Sequence, residues 1–189
     1  MFTSDPKIIN ELLIIFRYVE TKIKPDKPFK VLGVGTYNLK QKFINLVKAE
    51  TKIAKKGNPA YMTIKMNSLQ DDEMIDLLYK AGQAGVKIKL IVRGICCIVG
   101  GIKGISDNIE CISIIDRFLE HSRVCIFGNG GDELIYLSSA DWMVRNLHYR
   151  IEATFPILNE EHKHHIRTIM KFQLNDLSLI HISEPTRPY

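Results

Sequence analysis

The chain has 189 residues, a formal net charge of +5, 46% hydrophobic residues and 25% charged ones. That is long enough for one domain with a real core, and the apolar share excludes a disordered or fibrous protein. No run approaches the roughly 18 apolar residues of a membrane span and no basic-apolar-small leader opens the sequence, so the protein is expected in the cytoplasm, with a cationic surplus suited to an anionic partner.

From the N-terminus, Thr3 or Ser4 can cap a helix that has Asp5 and Pro6 in its first turn. Ile8, Leu12, Ile15, Phe16 and Val19 then recur at helical spacing. The segment Pro25-Asp26-Lys27-Pro28 stops that helix and marks a domain boundary, leaving residues 1–28 as the end of a preceding domain and its linker. Beyond it strands and helices alternate. The pattern predicts a strand over Phe29–Val34, a basic amphipathic helix over Leu39–Lys56, a strand over Tyr61–Met66, a helix over Asp71–Ala84 and a buried strand over Lys87–Val92. Arg150–Phe155 reads as a further strand and Asn159–Phe172 as a closing helix. Such alternation implies βαβ crossovers and an α/β fold with a mixed, mainly parallel sheet flanked by helices.

Two glycine clusters bear on phosphate binding. Gly33-Val34-Gly35 follows a strand, but Asn38 stands where a dinucleotide fingerprint needs its third glycine, and no Gly-Lys-Ser/Thr occurs. Gly100-Gly101-Ile102-Lys103-Gly104 reads as a loop over the sheet edge in which a phosphate nest has room to form. The four cysteines include the adjacent Cys96 and Cys97, with Cys111 and Cys125 in apolar strands. Without a Cys-x-x-Cys spacing they read as reduced, mostly buried thiols, implying neither zinc nor disulfides. His162, His164 and His165 lie close together, but no carboxylate or cysteine is spaced to complete a metal site with them, so they read as a helix surface.

The chemistry concentrates between Arg117 and Asn146. Val124–Phe127 and Leu134–Leu137 are rich in β-formers, and Gly128-Asn129-Gly130-Gly131-Asp132 between them tolerates positive φ, so a hairpin is expected. Antiparallel pairing would bring His121 and Arg123, before the first strand, beside Ser138, Ser139 and Asp141, after the second. A guanidinium, an imidazole and hydroxyls converging at a sheet edge can hold a phosphoryl group. Arg93 ends the buried strand Lys87–Val92, on the side where open α/β sheets bind ligands. Arg145 and Arg150 can extend the cationic cluster.

With these residues in place, the chain resembles the carboxy-terminal part of the long-chain polyphosphate kinase family. The segments that carry the resemblance are IKMNSLQDDEMIDLLYKAGQAGVKIKLIVRGICC, GISDNI, SIIDRFLEHSRV, FGNGGDE and YLSSADWMVRNLHYRIE, with a weaker likeness in the first helix and strand. The resemblance implies a phospholipase-D-like fold over residues 29–176, with His-x-Arg at His121 where phospholipase-D-like proteins carry His-x-Lys. It also implies reversible transfer of the terminal phosphate of ATP to inorganic polyphosphate through a phosphohistidine in a preceding domain that this chain lacks. Arg93 and His121 match positions that handle ATP and phosphate, His121 without being the covalent nucleophile, and Arg123, Ser138 and Ser139 would support them.

ATP or ADP is then the nucleotide substrate, and Mg2+ is expected on ligands of the missing upstream domain, with no metal ligand in this chain. The implied partners are polyphosphate, ATP/ADP and the upstream domains, without a specific nucleic acid. A homo-oligomer and attachment to a membrane as part of a complex are both compatible with this. Two other functions fit the residues: a phospholipase-D-like phosphodiesterase or nuclease half-site completed by dimerisation, and a basic module that binds polyanions without catalysis. The last residues, LSLIHISEPTRPY (177–189), resemble the translation of a sequencing adapter and are expected to be a loosely packed tail foreign to the domain.

Overall fold

The computed structural model describes residues 3–26, 29–115, 117–175 and 180–181. Its first helix, α1 (Pro6–Thr21), takes Asp5 rather than Thr3 or Ser4 as its cap, because the Asp5 carboxylate accepts from the N–H groups of Lys7 and Ile8 at 2.9 and 3.0 Å. Pro6 then occupies the first helical position, where a missing N–H costs nothing. Ile8 and Ile15 pack on Phe29, Leu32 and Val34, while Leu13, Phe16 and Val19 are exposed. Of the expected linker, Lys27 and Pro28 lie outside the described residues. The helix is tied across it by Glu11, whose carboxylate accepts from the N–H groups of Lys30, Val31 and Leu32 at 2.8 to 3.2 Å. Those donors are then lost to a strand ladder, so the strand expected over Phe29–Val34 shrinks to β1 (Gly33–Val34).

Next come α2 (Leu39–Lys55), β2 (Tyr61–Met66), α3 (Asp72–Gln83) and β3 (Lys87–Val92), each close to its expected bounds. β4 (Ile109–Ile114) follows a crossover without a helix. The predicted hairpin forms as β5 (Val124–Phe127) and β6 (Leu134–Ser138), and Asn129, Gly130 and Gly131 in its turn all take positive φ. The strand expected from Arg150 starts only at Ala153, as β7 (Ala153–Pro156). Residues Arg145–Tyr149 before it wind into a π-helical turn that the Arg150 N–H closes on the Arg145 carbonyl at 2.9 Å. The closing helix is α4 (Glu160–Asn175). Within the expected foreign tail, Ile180–His181 form a two-residue β8 whose backbone pairs with Ser113–Ile114, and the rest of that tail lies outside the described residues.

The strand order is β1-β7-β6-β5-β2-β3-β4-β8. Pairing is parallel at β2·β3 and β3·β4 and antiparallel at the other pairings. The fold is the expected mixed α/β sheet flanked by helices, but antiparallel contacts outnumber the parallel ones expected to dominate. Parallel neighbours need a long crossover, and after β4 the chain mostly turns straight back on itself. One face of the sheet, including Ile64, Leu90 and Phe127, packs with Leu78 and Phe43 of the α3 and α2 layer and with Trp142. The other face, including Ile91, Ile112 and Ile126, packs with Met170 of α4. Side chains alternate along each strand, so consecutive residues serve opposite layers.

Candidate functional site

β2 and β3 run side by side and end together at Met66 and Val92, which places Asn67 and Arg93 at neighbouring tips. The Gly94 N–H donates to the Asn67 carbonyl at 2.8 Å, and a Cβ on Gly94 would stand only 2.8 Å from that same oxygen. This close approach needs glycine, and it sets the Asn67 amide beside Arg93.

A closed ring of hydrogen bonds follows. Arg93 Nε donates to Asn67 Oδ1 at 2.7 Å, and the Asn67 backbone N–H and Nδ2 donate to Asp141 Oδ1 at 2.8 and 3.3 Å. Arg123 grips the same carboxylate with two nitrogens, Nε to Oδ1 at 3.1 Å and Nη2 to Oδ2 at 3.2 Å. Its Nη1 donates to the His121 carbonyl at 3.2 Å, and Arg93 Nη2 lies 3.2 Å from His121 Nδ1. Burial pushes the Asp141 carboxyl upward, but the Arg123 fork and the Asn67 N–H outweigh it and hold the group below the usual carboxylate range.

Around this ring opens a cleft of about 400 Å³, walled by Arg93, His121, Arg123, Arg145 and Arg150 among other residues. The structure thus brings Arg93, His121 and Arg123 together. Ser139 also lines the cleft; its hydroxyl donates to the Glu152 carboxylate and accepts from the Ala153 N–H at 3.1 Å. Ser138 does not belong there. One residue earlier on the strand, it faces the other way, with its hydroxyl 2.6 Å from Thr154 Oγ1 and accepting from the Ala140 N–H at 3.0 Å. The expectation that both serines support the site is corrected to Ser139 alone.

Sequence reasoning missed four lining residues: Asn67, Ser68, Asn146 and Glu152. Asn146 Nδ2 donates to Glu152 Oε1 at 2.6 Å, while Asn146 Oδ1 is buried and has no partner among the described residues. Asn67 had a usable signal, since it follows β2 as Arg93 follows β3. Of the other three, Ser68 and Glu152 stand in irregular chain and Asn146 in the π-helical turn, with no motif to mark them.

In the loop at Gly100–Gly104, where a phosphate nest had room to form, three of the N–H donors are engaged internally. Gly101 N–H donates to the Ser106 carbonyl at 3.0 Å, Ile102 N–H to Ser106 Oγ at 3.0 Å and Gly104 N–H to Asp107 Oδ2 at 2.6 Å. His162, His164 and His165 are exposed on α4, and among the described residues no group of His, Cys, Asp and Glu is arranged to hold a metal ion. Cys125 is buried and Cys97 is exposed. Cys96 and Cys111 bring their sulfurs within 3.5 Å, an S–H contact that lowers the Cys96 thiol and raises its partner.

Chemically, the cleft offers guanidinium groups and an imidazole to oxyanions. Its carboxylates suit a divalent cation poorly, because Asp141 is taken by Arg123 and Glu152 by Ser139 and Asn146.

Residues 32–187 match the family model described as polyphosphate kinase C-terminal domain 2. The polyphosphate kinase of Escherichia coli K12 is 42% identical over 176 residues, which are 93% of this chain and 25% of that protein. The crystal structure of the polyphosphate kinase from Porphyromonas gingivalis superposes with a TM-score of 0.87 at 42% identity, over 92% of this chain and 26% of that one. Nuc from Salmonella typhimurium, a phospholipase D family member, shares the fold with a TM-score of 0.53 at 12% identity, over 79% of this chain and 95% of its own. This chain therefore spans about a quarter of the length of the polyphosphate kinases it matches. With most of its residues covered by that model, and a phospholipase-D-like α/β fold beneath them, the chain belongs to the polyphosphate kinase family, in its C-terminal domain 2.

Proposed function

We propose that this chain forms the phosphate-gripping wall of a kinase active site that reversibly transfers the terminal phosphate of ATP to inorganic polyphosphate. The observation that carries the reading is the meeting of Arg93 and His121, from separate segments, 3.2 Å apart in one arginine-lined cleft. Arginine has only N–H donors, so at this contact His121 Nδ1 accepts and the ring proton sits on Nε2. The Nε2–H is then the group that His121 can offer to a phosphoryl oxygen.

In the transfer, the bond between the terminal phosphorus of ATP and its bridging oxygen breaks, ADP leaves, and a new P–O bond forms on the polyphosphate end. A phosphohistidine in the upstream domain would relay the group. Little covalent work falls to the cleft, since phosphoryl transfer depends mainly on positioning and on neutralising oxygens that carry charge. Arg93, held at Nε by Asn67, is oriented for that task. Arg123 is anchored by Asp141 and in turn steadies the backbone at His121, while Arg145 and Arg150 are exposed for a chain of phosphates. Magnesium, which neutralises phosphate oxygens when bound, would take its ligands upstream, because the carboxylates here are committed.

The test uses a polyphosphate kinase that carries its upstream domains with this segment. Arg93→Ala is expected to lower polyphosphate synthesis from ATP by about a thousandfold, and His121→Ala to remove most of it, both with cooperative unfolding unchanged. Wild-type rates in both folded variants would refute the reading.

A further inference from the structure

Under the His121 segment, the sheet carries a lysine where its neighbours are apolar. Lys65 stands in register between Ile91 of β3 and Val124 of β5. Those two belong to the apolar layer that packs with Met170 of α4, and the Lys65 side chain is only 3% exposed. An ammonium in such a place is far costlier to bury than an aliphatic side chain unless its charge is matched and its protons are bonded.

Here both conditions are met. Nζ donates to Glu120 Oε2 at 2.5 Å and to Gln173 Oε1 at 3.0 Å, and Gln173 Nε2 donates to the same Glu120 oxygen at 2.9 Å. The Lys65 hydrogen bond is the main cause that holds the Glu120 carboxyl below the usual range. Glu120 directly precedes His121, and the residues around it, Arg117, Phe118, Leu119, His121 and Ser122, are exposed. An irregular, exposed segment has few ways to hold one side chain still, and a carboxylate anchored in the core is one of them.

We propose that Lys65 and Gln173 form a clamp that fixes His121 through Glu120, which makes Lys65 a positioning residue for phosphoryl transfer. This rests on the function proposed above. If the lysine served only to fill the layer, methionine would fill it as well without burying an ion. What methionine cannot do is hold Glu120.

The experiment is a double-mutant cycle in a polyphosphate kinase carrying its upstream domains. Lys65→Met is expected to leave unfolding cooperative, because the partly exposed Glu120 can turn to water once its partner is gone, while kcat falls by about ten- to a hundredfold, the range that a misplacement near 1 Å produces, with KM for ATP little altered. In a His121→Ala background the same substitution should add no further loss to the residual rate. Gln173→Leu leaves β2 untouched, should act in the same direction, and decides by the same criteria if Lys65→Met does not fold. Full kcat in the folded clamp variant, or an equal loss with and without His121, overturns the clamp while leaving the proposed function standing. Wild-type activity of His121→Ala overturns the clamp, and the proposed function falls with it only if Arg93→Ala is fully active as well.

Discussion

Asn67 serves two of the cleft's charged groups at once, taking Arg93 on its amide oxygen and reaching Asp141 with its N–H groups. Asp141 is the more exacting partner, because it is a buried carboxylate whose charge is matched mainly by Arg123. Removing one half of such a pair typically costs about 3–5 kcal/mol, so Arg123→Ala should lower the free energy of unfolding by that order in a urea titration. The Asp141 carboxyl titrates below its unfolded value of about 3.9, so its contribution to stability is complete above that pH and drains away as pH falls through the lower, folded value. Asp141→Asn is therefore expected to be less stable at neutral pH and to lose less stability below about pH 4, as urea titrations over a pH series would show. Arg93, His121, Arg123 and Ser139 were legible in the sequence because each stands near a strand tip, where side chains meet ligands. Ser138 was misread for want of one fact, the phase of the strand, which sends consecutive hydroxyls to opposite faces.

Among the elements, α1 shows how a single side chain can decide local structure. Glu11 gathers the N–H groups of Lys30, Val31 and Leu32, fastening the helix to the segment before β1. Glu11→Ala should cost about 1–2 kcal/mol, since these bonds are partly open to water, and should speed amide exchange at Lys30 to Leu32 selectively, a change that hydrogen-exchange mass spectrometry resolves. Helices and strands with clean periodicity, α2, α3, β2 and β3, could be placed from pattern alone. β1 and the turn at Arg145–Tyr149 could not, because a carboxylate nineteen residues away diverts the first, and a wider, five-residue hydrogen bond sets the second.

At the scale of the molecule, Arg145 and Arg150 add positive charge to the cleft, and among the described residues neither has a side-chain partner of the kind that holds Arg93 and Arg123. Polyphosphate binding by the complete enzyme should weaken as salt rises, and less steeply once both arginines are replaced by alanine, as filter binding across a salt series would reveal. The order of strands was the part least legible in advance, since alternation announces that strands exist but not which ones become neighbours. β2, a central strand, takes its second neighbour from β5, which is encoded roughly sixty residues later and must emerge before that edge is covered. At about 5–20 residues per second, a ribosome would leave the β2 edge open for several seconds, long enough for a neighbouring nascent chain to pair with it. A message cut between Ile114 and Val124 should accordingly yield an insoluble product, whereas one that reaches past Phe127 closes the seam.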